Sequence, residues 1–229
     1  MSGGGTSEGG ARIRSIQVGA IGVLTDEGPR AGTPTAFRKY PVTGPVQAGP
    51  LGLDGDAQAD LTVHGGPDKA VYAYPWAHYA VWEAAHPRLA GRLRPGAFGE
   101  NLTVEGLDET VVALGDRYAI GGAVLEVSEP RQPCYKFAHI HDDNHLGKYM
   151  LAEGMTGWYL RVLTPGPIAA GDAITLLDRP YPAWTVRRLS TVVTGQGGAR
   201  PGREALAELG AIDALPAYLR RDIARALAR

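Results

Sequence analysis

The chain has 229 residues, 44% apolar and 21% charged, with a formal net charge of −1 and a single cysteine. That length suits one large domain with an appendage and a core of its own. One thiol excludes an intramolecular disulfide and any zinc site built from cysteines alone. No run approaches the roughly 18 consecutive apolar residues of a transmembrane helix. The opening MSGGGTSEGGAR lacks the basic and apolar regions of a secretory signal, so a cytoplasmic protein with no membrane attachment is expected. Residues 180–229 carry eight Arg against four Asp and Glu. No basic face with interleaved aromatics accompanies them, which argues against nucleic-acid binding by charge.

In chain order, residues 1–11 read as a disordered Gly/Ser-rich tail. Residues 12–24 are strand-like and end in turn residues at 26–32. Short apolar or β-branched runs recur at 61–63, 70–74, 101–104, 110–114, 123–129, 157–163 and 173–178, separated by Gly, Pro and Asp. Two helices interrupt them. One spans 75–86 with Pro75 in its first turn, and a shorter one spans 144–152, started by Asn144. After Pro180 the pattern turns helical. Residues 185–193 fit a helix, with a strand as the alternative, and 195–202 form a linker. Residues 203–210 form a helix closed by Gly210. Asp213 then caps a helix with Leu215, Tyr218, Leu219, Ile223, Ala226 and Leu227 on one face. The fold class is mainly β, a barrel-like or sandwich body over 12–180, with a few helices and a small C-terminal three-helix appendage over 181–229.

Three segments carry candidate chemistry. In GLDGDAQADLTVHGGPDKAVY (52–72), adjacent Gly65 and Gly66 let backbone amides approach an anion, and Lys69 adds a point charge. A tight hairpin with a solvated Lys is the plain alternative. In FGENLTVEGL (98–107), Glu100 and Asn101 either sit at a pocket mouth or merely form a turn. In SEPRQPCYKFA (128–138), Arg131 and Lys136 flank Cys134 and favour its thiolate, the form that attacks electrophiles or binds metals. A buried, inert cysteine is the alternative there. Cys134 could also pair with His64 or His139 as a nucleophile. HIHDDNH (139–145) is the nearest approach to a histidine metal cluster, but it lacks a recognised ligand spacing, so solvated imidazoles are the simpler reading. No Walker loop, GxSxG elbow, GxGxxG fingerprint or CxxCH haem site occurs.

Taken together and in this order, the three segments, with GWYLRVLTPGPIAAGDAITLLDRP following, resemble the MOSC family, related to the C-terminal part of molybdenum-cofactor sulfurases, and most closely its stand-alone bacterial YiiM-like type. The resemblance runs over residues 12–180 and extends to a small helical C-terminus. It implies a β-barrel-like domain that binds a molybdenum cofactor, with Cys134 as the protein's metal ligand and a catalytic residue. Gly65, Gly66, Lys69, Asn101, Arg131 and Lys136 are then cofactor-binding candidates, and His64, Asp68 and Glu100 candidate catalytic acids. The implied reaction is two-electron reduction of an N–O bond in N-hydroxylated compounds such as hydroxylaminopurine-like bases, a detoxification. A single cysteine leaves no room for an iron–sulfur relay, so the implied partners are a small-molecule substrate and an external electron-donor protein, with a homodimer as a candidate assembly. Two other readings stand beside it. One is a sulfur carrier holding a persulfide on Cys134. The other is a pyridoxal phosphate binding module using Lys69.

Overall fold

The computed structural model describes residues 10–61, 64–194 and 201–229. Its body is an eight-stranded sheet built around β7 (Val71–Pro75), whose five residues are all buried. On one side β7 pairs antiparallel with β11 (Trp158–Thr164), followed by β10 (Ala123–Pro130), β9 (Arg117–Ile120) and β13 (Ile174–Asp178). On the other side come β8 (Leu102–Glu105), β1 (Arg12–Val18) and β4 (Tyr40–Pro41). The β7–β8 pair is parallel, with Ala73 opposite Leu102. A parallel pair needs a crossover, and the intervening chain supplies it through α1 (Ala77–Ala85).

Two smaller sheets complete the strands: β2 (Gly22–Val23) with β3 (Pro34–Thr35), and β12 (Gly166–Ile168) with β5 (Val46–Gly49) and β6 (Gly52–Leu53). The large sheet curls until Arg12 bridges Ala173 and Ile13 N donates to Asp172 O at 2.9 Å. This is one bridge and not a ladder, so the body is barrel-like but open.

Apolar side chains collect in three clusters. The first packs on the sheet and includes Ile16, Leu102, Leu125, Val127 and Trp158. The second is aromatic, with Tyr74, Trp82, Phe98 and Phe137 packed under α1, α2 (Tyr135–Ile140) and α3 (Leu146–Glu153). The third joins Leu114 and Trp184 to α4 (Val186–Thr194), α5 (Arg203–Gly210) and α6 (Ala217–Leu227) through Leu189, Leu209, Leu219 and Ile223. Arg161 of β11 ties this last cluster to the sheet by donating to Ala214 O at 3.0 Å.

Several sequence expectations shift. Pro75 closes β7 instead of opening a helix, because Trp76 N still donates to Val104 O at 2.8 Å. Residues 110–114 are a turn with a lone Ala113–Thr185 bridge, and the strand follows at Arg117–Ile120. Cys134 stands directly before α2, which starts at Tyr135. Asn144 does not start α3; His145 precedes it. Gly210 lies inside α5, and Asp213 caps nothing, since Pro216 stands before α6 and Asp213 pairs with Arg220 instead. Ala11 is held in place, its carbonyl accepting from Ile174 N at 2.8 Å. Leu61 is a turn residue, and the rest of the strand expected at 61–63 (62–63), residues 1–9 of the tail and residues 195–200 of the linker expected at 195–202 lie outside the described residues.

Candidate functional site

Two joined cavities open where β7, β10 and β11 meet the 56–69 segment. An inner chamber of about 80 Å³ leads to an outer cleft of about 890 Å³. Both are bounded by His64, Gly65, Lys69, Cys134, Lys136 and Tyr159. The combined space is on the scale of a small-molecule or cofactor site.

Cys134 sits at the junction. Strand β10 ends at Pro130, and the Arg131–Pro133 stretch carries the chain to Cys134, whose backbone is extended just ahead of α2 (φ −106°, ψ 161°). Burial alone would raise the thiol's pKa. A hydrogen bond from His64, the charge of Arg131 and the Lys136 backbone N–H outweigh it and bring the thiol down to about 6. Cys134 is therefore a thiolate at neutral pH. Of the two histidines spaced to pair with it, His64 is the partner. His139 is exposed and borders neither cavity.

The cations around the thiol are short of acids. Arg131 is 4% exposed, lies 5.1 Å from the centre of the Tyr72 ring, hydrogen-bonds Tyr159 and reaches the Met150 sulfur at 3.7 Å. Lys136 is 8% exposed and donates to Pro34 O at 3.0 Å. Among the described residues neither makes an ion pair with a carboxylate. A buried cation is stable only with a counter-charge, so this wall is built for anions, the Cys134 thiolate among them. Lys69 reaches Glu129 at 3.9 Å and packs over the Tyr218 ring at 4.9 Å. Gly65 and Gly66 both take left-handed backbone angles (φ 81° and 82°), turning the loop beside Cys134 in a way that a side chain would resist.

Sequence reasoning missed several lining groups. Tyr72 and Tyr159 form one wall, with ring centres 5.3 Å apart, because the β7–β11 register sets them directly opposite each other. Lys39 and Asp56 form an ion pair on the inner chamber, and Asp56 also accepts from Gly19 N at 2.8 Å and Asn101 Nδ2 at 2.9 Å. Burial pulls the Lys39 ammonium below its ordinary pKa, and Asp56 opposes the shift.

Three sequence candidates do other work. Glu100 is 0% exposed and borders neither cavity. Its carboxylate accepts from Tyr79 OH, Gly96 N (2.7 Å), Phe98 N (3.1 Å) and Thr103 Oγ1 (2.9 Å). Burial raises its pKa against those donors, but it cannot reach a ligand. Asp68 borders the outer cleft but is held by Arg161 at 2.8 and 3.0 Å. Asn101 borders the inner chamber, yet its amide is fully engaged by Gln17 O, Asp56 and Tyr72 N, so it positions Asp56. In the 139–145 segment, His141 hydrogen-bonds Ala97 O at 2.8 Å. No group of three metal-ligating side chains occurs among the described residues.

A molybdenum cofactor fits this donor set. The chain's one cysteine places a thiol of lowered pKa at the cavity junction, cations without acid partners suit an anionic cofactor, and two tyrosine rings offer a flat wall. The MOSC domain model matches residues 60–175, and the chain belongs to the MOSC domain family. Within it the chain is YiiM-like, as the ordered motifs implied. It is 40% identical to protein YiiM of Escherichia coli over 65% of this chain, and spans 66% of that protein, just under two thirds of its length. The crystal structure of YiiM from Geobacillus stearothermophilus superposes with a TM-score of 0.78 at 32% identity, covering 95% of this chain and 99% of that one. A protein named reductase from Gibberella moniliformis is 39% identical over 69% of this chain and 28% of its own length.

Proposed function

We propose that the chain binds a molybdenum cofactor across these cavities and reduces N-hydroxylated compounds, hydroxylaminopurine-like bases among them, to the amine and water. The observation that carries this reading is the Cys134 junction: a thiol held near pKa 6 by His64 and Arg131, beside two buried cations that lack acids. The MOSC family and the reductase name of one relative support it.

Cys134 would be the protein ligand to the metal. Lys136, Lys69 and Arg131, with the Gly65–Gly66 amides, would hold the anionic part of the cofactor. When bound, the cofactor supplies two-electron redox chemistry. The chain's own residues do the rest. His64 keeps Cys134 ionised, and Tyr72 and Tyr159 exclude water from one wall. The lone cysteine cannot hold a cluster, so electrons come from a separate redox protein.

The test is metal and pterin analysis of protein made in a molybdate-supplied host. About one molybdenum per chain is expected, lost in Cys134→Ser with the fold intact by circular dichroism. Protein without molybdenum or pterin, from cells able to make the cofactor, overturns the reading. A persulfide on Cys134 would then favour sulfur transfer, and a pyridoxal phosphate adduct lost in Lys69→Ala would favour that cofactor.

A further inference from the structure

The outer cleft holds an acid that the sequence motifs do not single out, and a helix beyond the matched MOSC stretch reaches it. Glu129, next to last in β10, is 2% exposed and borders the outer cleft with Lys69, Tyr159 and Tyr218. Between Val127 and Glu129 the register with β11 slips by one residue. Such a bulge re-aims the side chains beside it. One carboxylate oxygen of Glu129 accepts a hydrogen bond from the Tyr218 hydroxyl on α6. The other is buried with no hydrogen-bond partner, and Lys69 Nζ stands 3.9 Å away. A buried carboxylate oxygen without a donor favours the protonated form. The charged and titratable groups around Glu129 are Lys69 and Asp68 from the 67–69 turn, Arg161 and Tyr159 from β11, and Tyr218 from α6. Burial lifts the carboxyl, Lys69 and Tyr218 pull it back, and the balance is about 7. Asp68 is held by Arg161, Glu100 is out of reach and His64 is committed to the thiol. Of the carboxyls bordering the cleft, Asp60 is exposed and Asp68 is held by Arg161, so Glu129 is the buried one.

We propose that Glu129 is the proton donor of the outer cleft and that Tyr218, carried by α6, is its positioning residue. This rests on the N–O reduction proposed above. The overall change is R–NH–OH + 2e⁻ + 2H⁺ → R–NH₂ + H₂O. The N–O bond breaks, and the departing oxygen, already carrying one hydrogen, takes the Glu129 proton and leaves as water. The nitrogen takes its proton from solvent. The two electrons come from a flavin- or haem-containing donor protein, and water at the cleft mouth reprotonates Glu129. The C-terminal helices thereby become part of the site.

Two readouts test this on the full chain. In an infrared pH titration, the difference between wild type and Glu129→Gln should show one protonated-carboxyl band with a midpoint near neutrality. Tyr218→Phe should move that midpoint up, because the phenol's hydrogen bond favours the carboxylate. In the molybdenum-loaded enzyme with a hydroxylaminopurine, Glu129→Gln should lower kcat about 10- to 100-fold. KM should stay within about twofold, metal content should not change, and the fall in kcat as pH rises through about 7 should disappear. A loaded Glu129→Gln enzyme with unchanged kcat and pH limb overturns the role alone, as does a carboxyl midpoint in the ordinary glutamate range. If Glu129→Gln fails to fold, Tyr218→Phe decides, and an unmoved pH limb overturns the proposal. Wild-type protein with neither molybdenum nor N–O reductase activity overturns the functional reading and this role with it.

Discussion

The loop at residues 96–101 and the second loop, at 131–134 leading into the first turn of α2, look alike in sequence, each placing polar side chains next to a sheet strand. In the first loop the polar groups face one another. Glu100 takes two backbone amides of its own loop and two hydroxyls, and Asn101 uses its whole amide on Gln17, Asp56 and Tyr72. In the second loop the charged groups face outward into cavities: Cys134, Arg131 and Lys136 line them, and neither cation has a carboxylate. The difference separates a polar group that builds the fold from one that awaits a ligand. It depends on whether the hydrogen-bonding capacity is already met within the chain.

Breaking the inward-facing loop should have the largest effect. Glu100→Ala strands four buried donors and should destabilise the fold by about 3–5 kcal/mol in denaturant unfolding. Alkylation of Cys134 in the folded fraction should not change. The outward-facing loop should behave in the opposite way. In cofactor-free protein, the iodoacetamide reactivity of Cys134 should rise with pH around a midpoint of about 6, because the thiolate is the reactive form. His64→Ala and Arg131→Met each remove a group that favours the thiolate, so each should move the midpoint up by about one pH unit. Arg131→Met should cost less stability than Glu100→Ala, since it removes a buried charge that no carboxylate balances. The smallest effect belongs to Asp68→Asn. Its partly exposed pair with Arg161 should be worth about 1 kcal/mol or less, and Cys134 reactivity should stay as in the wild type.

Local chemistry explains what was legible. The HGG turn, the lone cysteine and its two flanking cations lie within short segments, and residue type alone marks them. The strands at 70–74, 101–104, 123–129 and 173–178 announce themselves by β-branched runs between turns, and the amphipathic helix at 185–193 by its spacing. What was hidden depends on pairing between distant segments. Tyr159 reaches the site because β11 pairs with β7 in one register, and Lys39 and Asp56 line it as an ion pair between separate segments. Glu129 reads as an ordinary polar residue of a strand until the bulge after Val127 and the arrival of Tyr218 are known. The surroundings of Glu100 and Asp68 are hidden for the same reason: the partners that occupy them, Tyr79 and Arg161, come from elsewhere in the chain.

The residues bounding the two cavities run from Thr33 to Tyr218. Their walls come from β7, β10, β11 and α6, and the sheet is drawn round by the Arg12–Ala173 bridge. A chain still emerging from the ribosome therefore lacks the finished cleft until its last described helix has been made and docked. On the proposed reading, insertion of the cofactor would accordingly follow translation and act on a folded protein. Any damage to the C-terminal helices should show itself as defective loading or turnover even where the thiol and its sheet are intact.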